Sequence, residues 1–232
     1  MTELIKFMTA SYKNIEISSG DARRLRGFFA DLDQMDSNLH NHTPEGEQMY
    51  RYPPVQYKVL NSHPFIVAWG EGIRSIYKHL MEQKQLVIGE KTFTDMTLDI
   101  ILSEKPVGDS PIMRSYRFMT PWLALNKTNY KCYNDAKTQE ERDEILNRVL
   151  TGNILAICKG FGVTIEGQIK VSHELKEIAV SYKGERMTGF LGTFQANCCI
   201  PSFCGIGKGT ARGFGTIHIV KMNQKEEACE EN

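Results

Sequence analysis

Two histidines separated by one residue carry the clearest chemistry in this sequence. His40 and His42 follow the first amphipathic segment, and ten residues after each comes a tyrosine, Tyr50 and Tyr52. Imidazole titrates near neutrality, with an ordinary pKa of about 6.5, so one ring can act as a base and the other as an acid. Such a pair suits RNA cleavage without a metal ion. The base takes the proton of a ribose 2′-OH that attacks the adjacent phosphorus, the acid protonates the departing 5′ oxygen, and a tyrosine or lysine steadies the charge.

Two other interpretations of the histidine pair stay open at this stage. Histidines in a polar segment such as residues 38–43 are more often surface residues than catalysts. A metal site is a weaker interpretation, because the two imidazoles lack a nearby carboxylate or third histidine at ligand spacing. The H-x-H pair alone is therefore a weak signal, and the rest of the chain must supply its context.

A glycine-rich stretch near the end of the sequence is the second candidate site. Residues 205–215 interleave five glycines with two cations. Glycine lets the backbone take positive φ and approach a partner closely, and concave backbone N–H groups with two cations suit a phosphate. The candidate binding residues are Gly205, Gly207, Lys208, Gly209, Arg212, Gly213 and Gly215.

Known nucleotide-binding loops do not fit this stretch. A dinucleotide fingerprint needs G-x-G-x-x-G between a strand and a helix, but here the third glycine is out of place and β-branched residues that predict a strand follow. A loop of the G-x-x-x-x-G-K-[ST] type needs a glycine where Ser202 stands, and Gly209 follows Lys208 where it needs Ser or Thr. The stretch is therefore predicted to be a loop that leads into a final strand.

The composition is that of a soluble globular protein without a strong overall charge. Its 28 Lys and Arg residues balance 28 Asp and Glu residues, which argues against non-specific coating of nucleic acid. No apolar run approaches the length of a membrane span and the N-terminus has no signal-peptide layout, so we expect a cytoplasmic protein with no membrane partner. The six cysteines contain no C-x-x-C pair, which favours reduced thiols over disulfides or a zinc site.

The elements that must position these residues form two α+β halves. Residues 2–102 follow the order strand, helix, strand, strand, helix, strand of a ferredoxin-like unit. Residues 105–111 contain two prolines and a glycine and predict a linker. The second half has one long helix and then strands, fewer helices than a full repeat would have. We predict tandem ferredoxin-like domains over residues 1–108 and 109–225, followed by an acidic tail over residues 226–232.

Several segments together resemble one known family. Residues 205–215 look like the C-terminal glycine-rich loop of the RAMP superfamily, and specifically of the CRISPR-associated endoribonucleases that cut repeat RNA into guides. Residues 116–126 resemble the start of the second domain in the branch found in archaea and some bacteria. Residues 39–42 and 50–53 resemble the histidine and tyrosine region of that branch.

The resemblance implies a fold, an activity and a partner. It implies two ferredoxin-like domains and metal-independent cleavage of a CRISPR repeat transcript, leaving 5′-hydroxyl and 2′,3′-cyclic phosphate ends with no cofactor. His40 and His42 carry over as catalytic candidates, Tyr50 as their helper and Tyr52 as its substitute, while residues 205–215 hold RNA backbone. Repeat RNA is the expected partner. Membership of a multi-subunit CRISPR interference complex and homodimerisation stay open.

Two alternative functions follow from the same features. The chain could be a non-catalytic RNA-binding subunit of the superfamily, in which the glycine-rich loop binds but nothing is cut. A less favoured alternative is an enzyme whose glycine-rich loop binds a small phosphate-containing ligand.

Overall fold

The computed structural model describes residues 2–41, 47, 49 and 51–220, and its N-terminal half has the predicted order of elements. A short helix and a small hairpin are added to that order. The elements are β1 Thr2–Tyr12, α1 Ala22–Leu32, α2 Ser37–His40, β2 Val55–Leu60, β3 His63–Trp69, α3 Glu71–Glu82, β4 Leu86–Ile88, β5 Lys91–Phe93 and β6 Leu98–Phe118.

The C-terminal half continues from the end of β6. Its elements are α4 Lys127–Asp135, α5 Gln139–Gly160, β7 Val171–Tyr182, β8 Glu185–Cys199 and β9 Ile217–Ile219. A single 3-10 turn, Thr210–Arg212, lies in the glycine-rich loop between β8 and β9. The predicted final strand after the loop is confirmed.

The two halves share one strand topology. In the first, the strands lie in the order β2-β3-β1-β6, and in the second the order is β7-β8-β6-β9, with every pairing antiparallel. Numbered within each half, both orders are second, third, first, fourth. The predicted tandem ferredoxin-like fold is confirmed, and the glycine-rich loop occupies the place in the second half that α3 has in the first.

β6 belongs to both halves, and the predicted linker over residues 105–111 is wrong. β6 pairs with β1 from Leu98 to Gly108 and with β8 from Gly108 to Arg117. Pro106 lies where the described structure pairs β6 with β1 alone, so β6 is an edge strand at that point, and edge strands tolerate proline. Pro111 lies in the register shift between Asp109 and Arg114, where a bulge tolerates it. One strand therefore makes the two sheets continuous.

Each half has its own apolar core. In the first, α1 and α3 present Leu25, Phe29, Ile76 and Leu80 to the sheet, each less than 5 % exposed. The second is centred on the buried face of α5 and the aromatic side chains of β6 and β8. None of the helices in the described ranges is long and apolar enough to cross a membrane.

Candidate nucleic-acid interface and active site

A cleft of about 1080 Å³ brings the two predicted sites together. Its walls are α2, the segment before β2, the end of α5 and the glycine-rich loop. His40 and Tyr52 line it from the first half, and Lys208 and Arg212 line it from the second. Residues more than 150 positions apart in the sequence therefore share one surface.

His40 lies at the end of α2, where local hydrogen bonds fix its position. The Asp36 side chain accepts from the N–H of Asn38 at 2.9 Å and caps the helix, and Asn41 ends it in the left-handed region at φ 58°. The Nε2 of His40 lies 3.0 Å from the carbonyl oxygen of Gln34. A carbonyl only accepts, so Nε2 carries a proton, and the lone pair of the neutral ring is then on Nδ1. The Arg26 guanidinium also donates to the His40 carbonyl.

His42 and Tyr50 lie outside the described residues. Their assignments as catalytic candidate and helper therefore stay predictions from the sequence.

Tyr52 lies against both halves of the molecule. Its hydroxyl donates to the carbonyl oxygen of Gly205 at 2.7 Å, and burial of that hydroxyl raises its pKa well above the ordinary value. Its ring centroid lies 5.0 Å from that of Trp69 and 5.9 Å from that of Phe161. This geometry favours a role in holding the glycine-rich loop, and its role as a substitute for Tyr50 stays a prediction.

Two glycines show why the loop needs this composition. Gly215 has φ 64°, and a Cβ there would lie 1.9 Å from the carbonyl oxygen of Ile206. Gly207 has φ 83°, and its Cβ would lie 2.6 Å from Nε1 of Trp122. Both a left-handed backbone and close packing are therefore required at these positions.

The predicted glycines divide between the interior and the cleft. Gly205, Gly213 and Gly215 are buried, whereas Gly207 and Gly209 are partly exposed on the cleft wall. The buried glycines give the loop its shape, and the other two lie where a ligand can approach.

Much of the loop's hydrogen-bonding capacity is used inside the protein. The N–H groups of Gly205, Ile206, Lys208, Arg212, Gly213 and Gly215 donate to protein oxygens at 2.8–3.3 Å. These amides are therefore not available to an anion. The charge that the loop offers to a phosphate comes from the Lys208 and Arg212 side chains instead.

Positive charge is concentrated in the cleft although the chain as a whole is neutral. Among the described lining residues only Glu71 is acidic. Burial and the nearby Arg212 both lower the pKa of Arg26, as expected where like charges lie close together. The basic residues that line the cleft are Arg26, Arg51, Lys159, Lys183, Lys208 and Arg212.

Tyr182 is a cleft residue that the sequence did not identify. It ends β7, and its ring centroid lies 5.2 Å from Nζ of Lys208, 5.9 Å from Cζ of Arg212 and 6.0 Å from Nζ of Lys183. Cations at these distances are attracted to the face of an aromatic ring. No local pattern joins residues 182 and 212, because only the sheet topology brings them together.

Within the described ranges, no group of three His, Cys, Asp or Glu side chains could hold a metal ion. The described cysteines are free thiols, and those at 158, 198, 199 and 204 are buried.

Comparison with known proteins places both halves in one family. Residues 3–105 match the Cas6b N-terminal domain and residues 109–220 match the Cas6b C-terminal domain. An uncharacterized protein of Methanocaldococcus jannaschii is 38 % identical over 111 residues, which are 47 % of this chain and 75 % of that protein.

Solved structures agree over nearly the whole chain. A crystal structure of Cas6b is 36 % identical with a TM-score of 0.89, covering 95 % of this chain and 100 % of the other. A crystal structure of the CRISPR RNA processing endoribonuclease Cas6b is 33 % identical with a TM-score of 0.74 over the same shares. The two family models match both halves in the same order, and the chain belongs to the Cas6b family.

Proposed function

We propose that this chain is an endoribonuclease that binds CRISPR repeat RNA and cuts it without a metal ion. Attack by a ribose 2′-OH gives one product with a 2′,3′-cyclic phosphate and one with a 5′-hydroxyl. The partner is repeat RNA, consistent with the similarity to a solved CRISPR RNA processing endoribonuclease.

The observation that carries this proposal is that His40 shares one cleft with Lys208 and Arg212. RNA cleavage needs a proton-transfer group next to a site that holds backbone phosphates. The cleft supplies both, and the six cations against one acidic residue among its described lining residues favour a polyanion.

The residues take separate roles in the proposed reaction. His40 has its basic lone pair on Nδ1 and is assigned as the base that takes the 2′-OH proton. The 2′ oxygen forms a bond to phosphorus as the bond to the 5′ oxygen breaks. His42, a catalytic candidate from the sequence alone, is assigned here as the acid that gives a proton to that leaving oxygen, with Tyr50 or Tyr52 as the helper. The Lys208 and Arg212 side chains of the glycine-rich loop hold the flanking phosphates.

The test is a cleavage assay with purified protein, repeat RNA and excess EDTA. We expect cutting at one position, and a set of RNAs each with one 2′-deoxy nucleotide identifies it, because only the deoxy nucleotide at that position removes the attacking oxygen. The downstream product should accept a label from polynucleotide kinase directly, as a 5′-hydroxyl does. A requirement for added Mg²⁺, or cleavage that survives every deoxy substitution, would overturn the mechanism.

Binding and competition measurements with the same protein and RNA separate the alternative functions. Tight binding of repeat RNA with no product in EDTA or in Mg²⁺ identifies a non-catalytic RNA-binding subunit. Displacement of the RNA by micromolar mononucleotide identifies a site for a small phosphate-containing ligand.

A further inference from the structure

Gly205, at the start of the glycine-rich loop, is bonded through both of its backbone groups to side chains of the first half. Its N–H donates to Oε1 of Gln56 at 2.8 Å, and its carbonyl accepts from the Tyr52 hydroxyl at 2.7 Å. Gln56 lies on β2 and is fully buried. The loop of the second half is thus attached to a strand of the first half at a defined point.

Lys58 completes this attachment. It lies two residues after Gln56 on β2, on the same face of the strand, and its Nζ donates to the same Oε1 at 2.9 Å. Two donors on one oxygen fix the orientation of the Gln56 amide, because an amide nitrogen could accept from neither. Lys58 is fully buried, and burial lowers its pKa to about 7.

β2 also touches the far end of the loop. Cβ built on Gly213 would lie 3.4 Å from Cα of Lys58 and from the carbonyl oxygen of Tyr57. The Gly213 carbonyl accepts from the Thr120 hydroxyl at 2.6 Å. Lys208 and Arg212 lie between Gly205 and Gly213, so both ends of the segment that carries them are held.

Stability alone does not account for a buried lysine and glutamine at this place. Burying polar side chains is costly, and both Gln56 and Lys58 are fully buried. Well-packed apolar residues of similar volume often replace such groups without loss of stability. A buried hydrogen bond is directional, unlike an apolar contact, so it favours one relative position of the groups that it joins.

We propose that Gln56 and Lys58 are positioning residues that hold Gly205 and thereby place Lys208 and Arg212 on the wall of the cleft that His40 lines. They act through the loop and touch no RNA. The part of this proposal that concerns RNA rests on the function proposed above, whereas the attachment of the loop does not.

The variants are chosen so that the fold survives. Removing one partner would leave a buried group unsatisfied, so the main variant is the double change Gln56→Leu with Lys58→Met, which removes both together. Gln56→Glu keeps an acceptor oxygen for both donors and serves as the conservative variant. His79→Leu, which replaces a buried polar residue on α3, is the matched control.

Amide hydrogen exchange without RNA is the first measurement. The double variant should exchange the Gly205 amide about tenfold faster, because its acceptor is lost, while amides of α3 keep their rates. The Gln56→Glu variant should keep the slow exchange of wild type, and His79→Leu should leave the exchange rate of the Gly205 amide unchanged. The proposal is overturned if the Gly205 amide of the double variant exchanges at the wild-type rate, or if the amides of α3 exchange faster by the same factor. It is also overturned if Gln56→Glu loses the slow exchange of the Gly205 amide.

The second test measures steady-state cleavage and binding of repeat RNA. The double variant should weaken affinity about tenfold and raise KM, and the cleavage rate at saturating RNA should stay within about twofold, because His40 is untouched. A loss confined to the saturated rate overturns the positioning role. If wild-type protein binds repeat RNA without cutting it, the proposed activity is wrong. The amide exchange and RNA affinity of the double variant would still test the positioning role of Gln56 and Lys58.

Discussion

The two halves of the molecule use the same strand order but cover their sheets differently. Between its last two strands the first half has α3, which buries Ile76 and Leu80 against the sheet. At the corresponding place the second half has the glycine-rich loop, which is held by backbone hydrogen bonds and by close approach of glycines. Replacing a helix by such a loop leaves its cations on the cleft wall while the backbone that carries them stays fixed.

This difference suggests that the two halves have different functions in the proposed reaction. The first half contributes a histidine at the end of a one-turn helix, and the second contributes positive charge on a shaped loop. If the division is correct, changes to His40 should affect chemical rate, and changes to the loop or to the residues that hold it should affect affinity. The predictions below test it in order of expected size.

The largest effect is expected from His40→Ala. Loss of a proton-transfer group should slow single-turnover cleavage by about 10²–10⁴-fold and leave the dissociation constant for repeat RNA nearly unchanged. His218→Ala, an exposed histidine on β9 outside the cleft, is the matched control and should cut at the wild-type rate. Cleavage by His40→Ala within threefold of wild type would remove His40 from the mechanism, and a large loss of affinity would break the division between the halves.

Gly215→Ala should have the next largest effect, on stability. The new Cβ would have to occupy a left-handed backbone 1.9 Å from the Ile206 carbonyl oxygen, so we expect a loss of about 3 kcal/mol in urea unfolding. Gly184→Ala is the control, because Gly184 has φ 85° with nothing within 4 Å of its Cβ position, and it should lose only about 1 kcal/mol. Equal losses in the two variants would show that packing does not require glycine in the loop.

Much of the fold could be predicted because its signals are local. The pattern at Thr138 and Glu141 predicts a helix start, and there the N–H of Glu141 donates to Thr138 Oγ1 at 3.2 Å. The glycine-rich loop was equally visible, since five glycines in a short stretch are a composition signal. Prolines and a glycine misled the interpretation of residues 105–111, because pairing with β1 and β8 outweighed the local preference for a turn.

The cleft could be predicted only in part, for a related reason. The histidines and the loop were identified from residue type, but the cations around them come from other elements. Arg26 lies on α1, Lys159 lies in the last turn of α5 and Lys183 follows β7, and nothing in the sequence distinguishes them from ordinary surface cations. A formal charge of zero gave no sign of the cluster, because charge summed over a chain carries no information about its distribution.

The buried position of Lys58 predicts that the stability of the protein depends on pH. This dependence tests the buried contact of Lys58 with Gln56 separately from the open cleft. Burial lowers the pKa of Lys58 from 10.5 to about 7, so above pH 7 the unfolded chain binds a proton that the folded chain does not. The free energy of unfolding should therefore rise with pH above 7, by about 1.4 kcal/mol per unit from this group. Below pH 7 both states are protonated and the contribution is flat.

The measurement compares wild type with Lys58→Met in urea between pH 7 and pH 9. The difference in unfolding free energy should change with pH across this window, in favour of wild type as pH rises. Above pH 9 Cys204 acts in the opposite direction, because burial raises its pKa to about 12 and the unfolded thiol ionises first. Parallel pH profiles for the two proteins would mean that Lys58 is not held in a buried, desolvated position.

The smallest effect is expected from removing the loop's cations. Lys208→Ala with Arg212→Ala should weaken repeat-RNA binding about tenfold, and the slope of log K against log salt should become shallower by about 1.4, as for two lost phosphate contacts to a single strand. Lys84→Ala with Lys91→Ala removes the same charge from exposed positions outside the cleft. If that control lowers the slope equally, the effect is one of overall charge, and the loop has no special place in binding. If the loop variant instead loses saturated cleavage rate at unchanged affinity, its cations act on the transition state and the two halves share the chemistry.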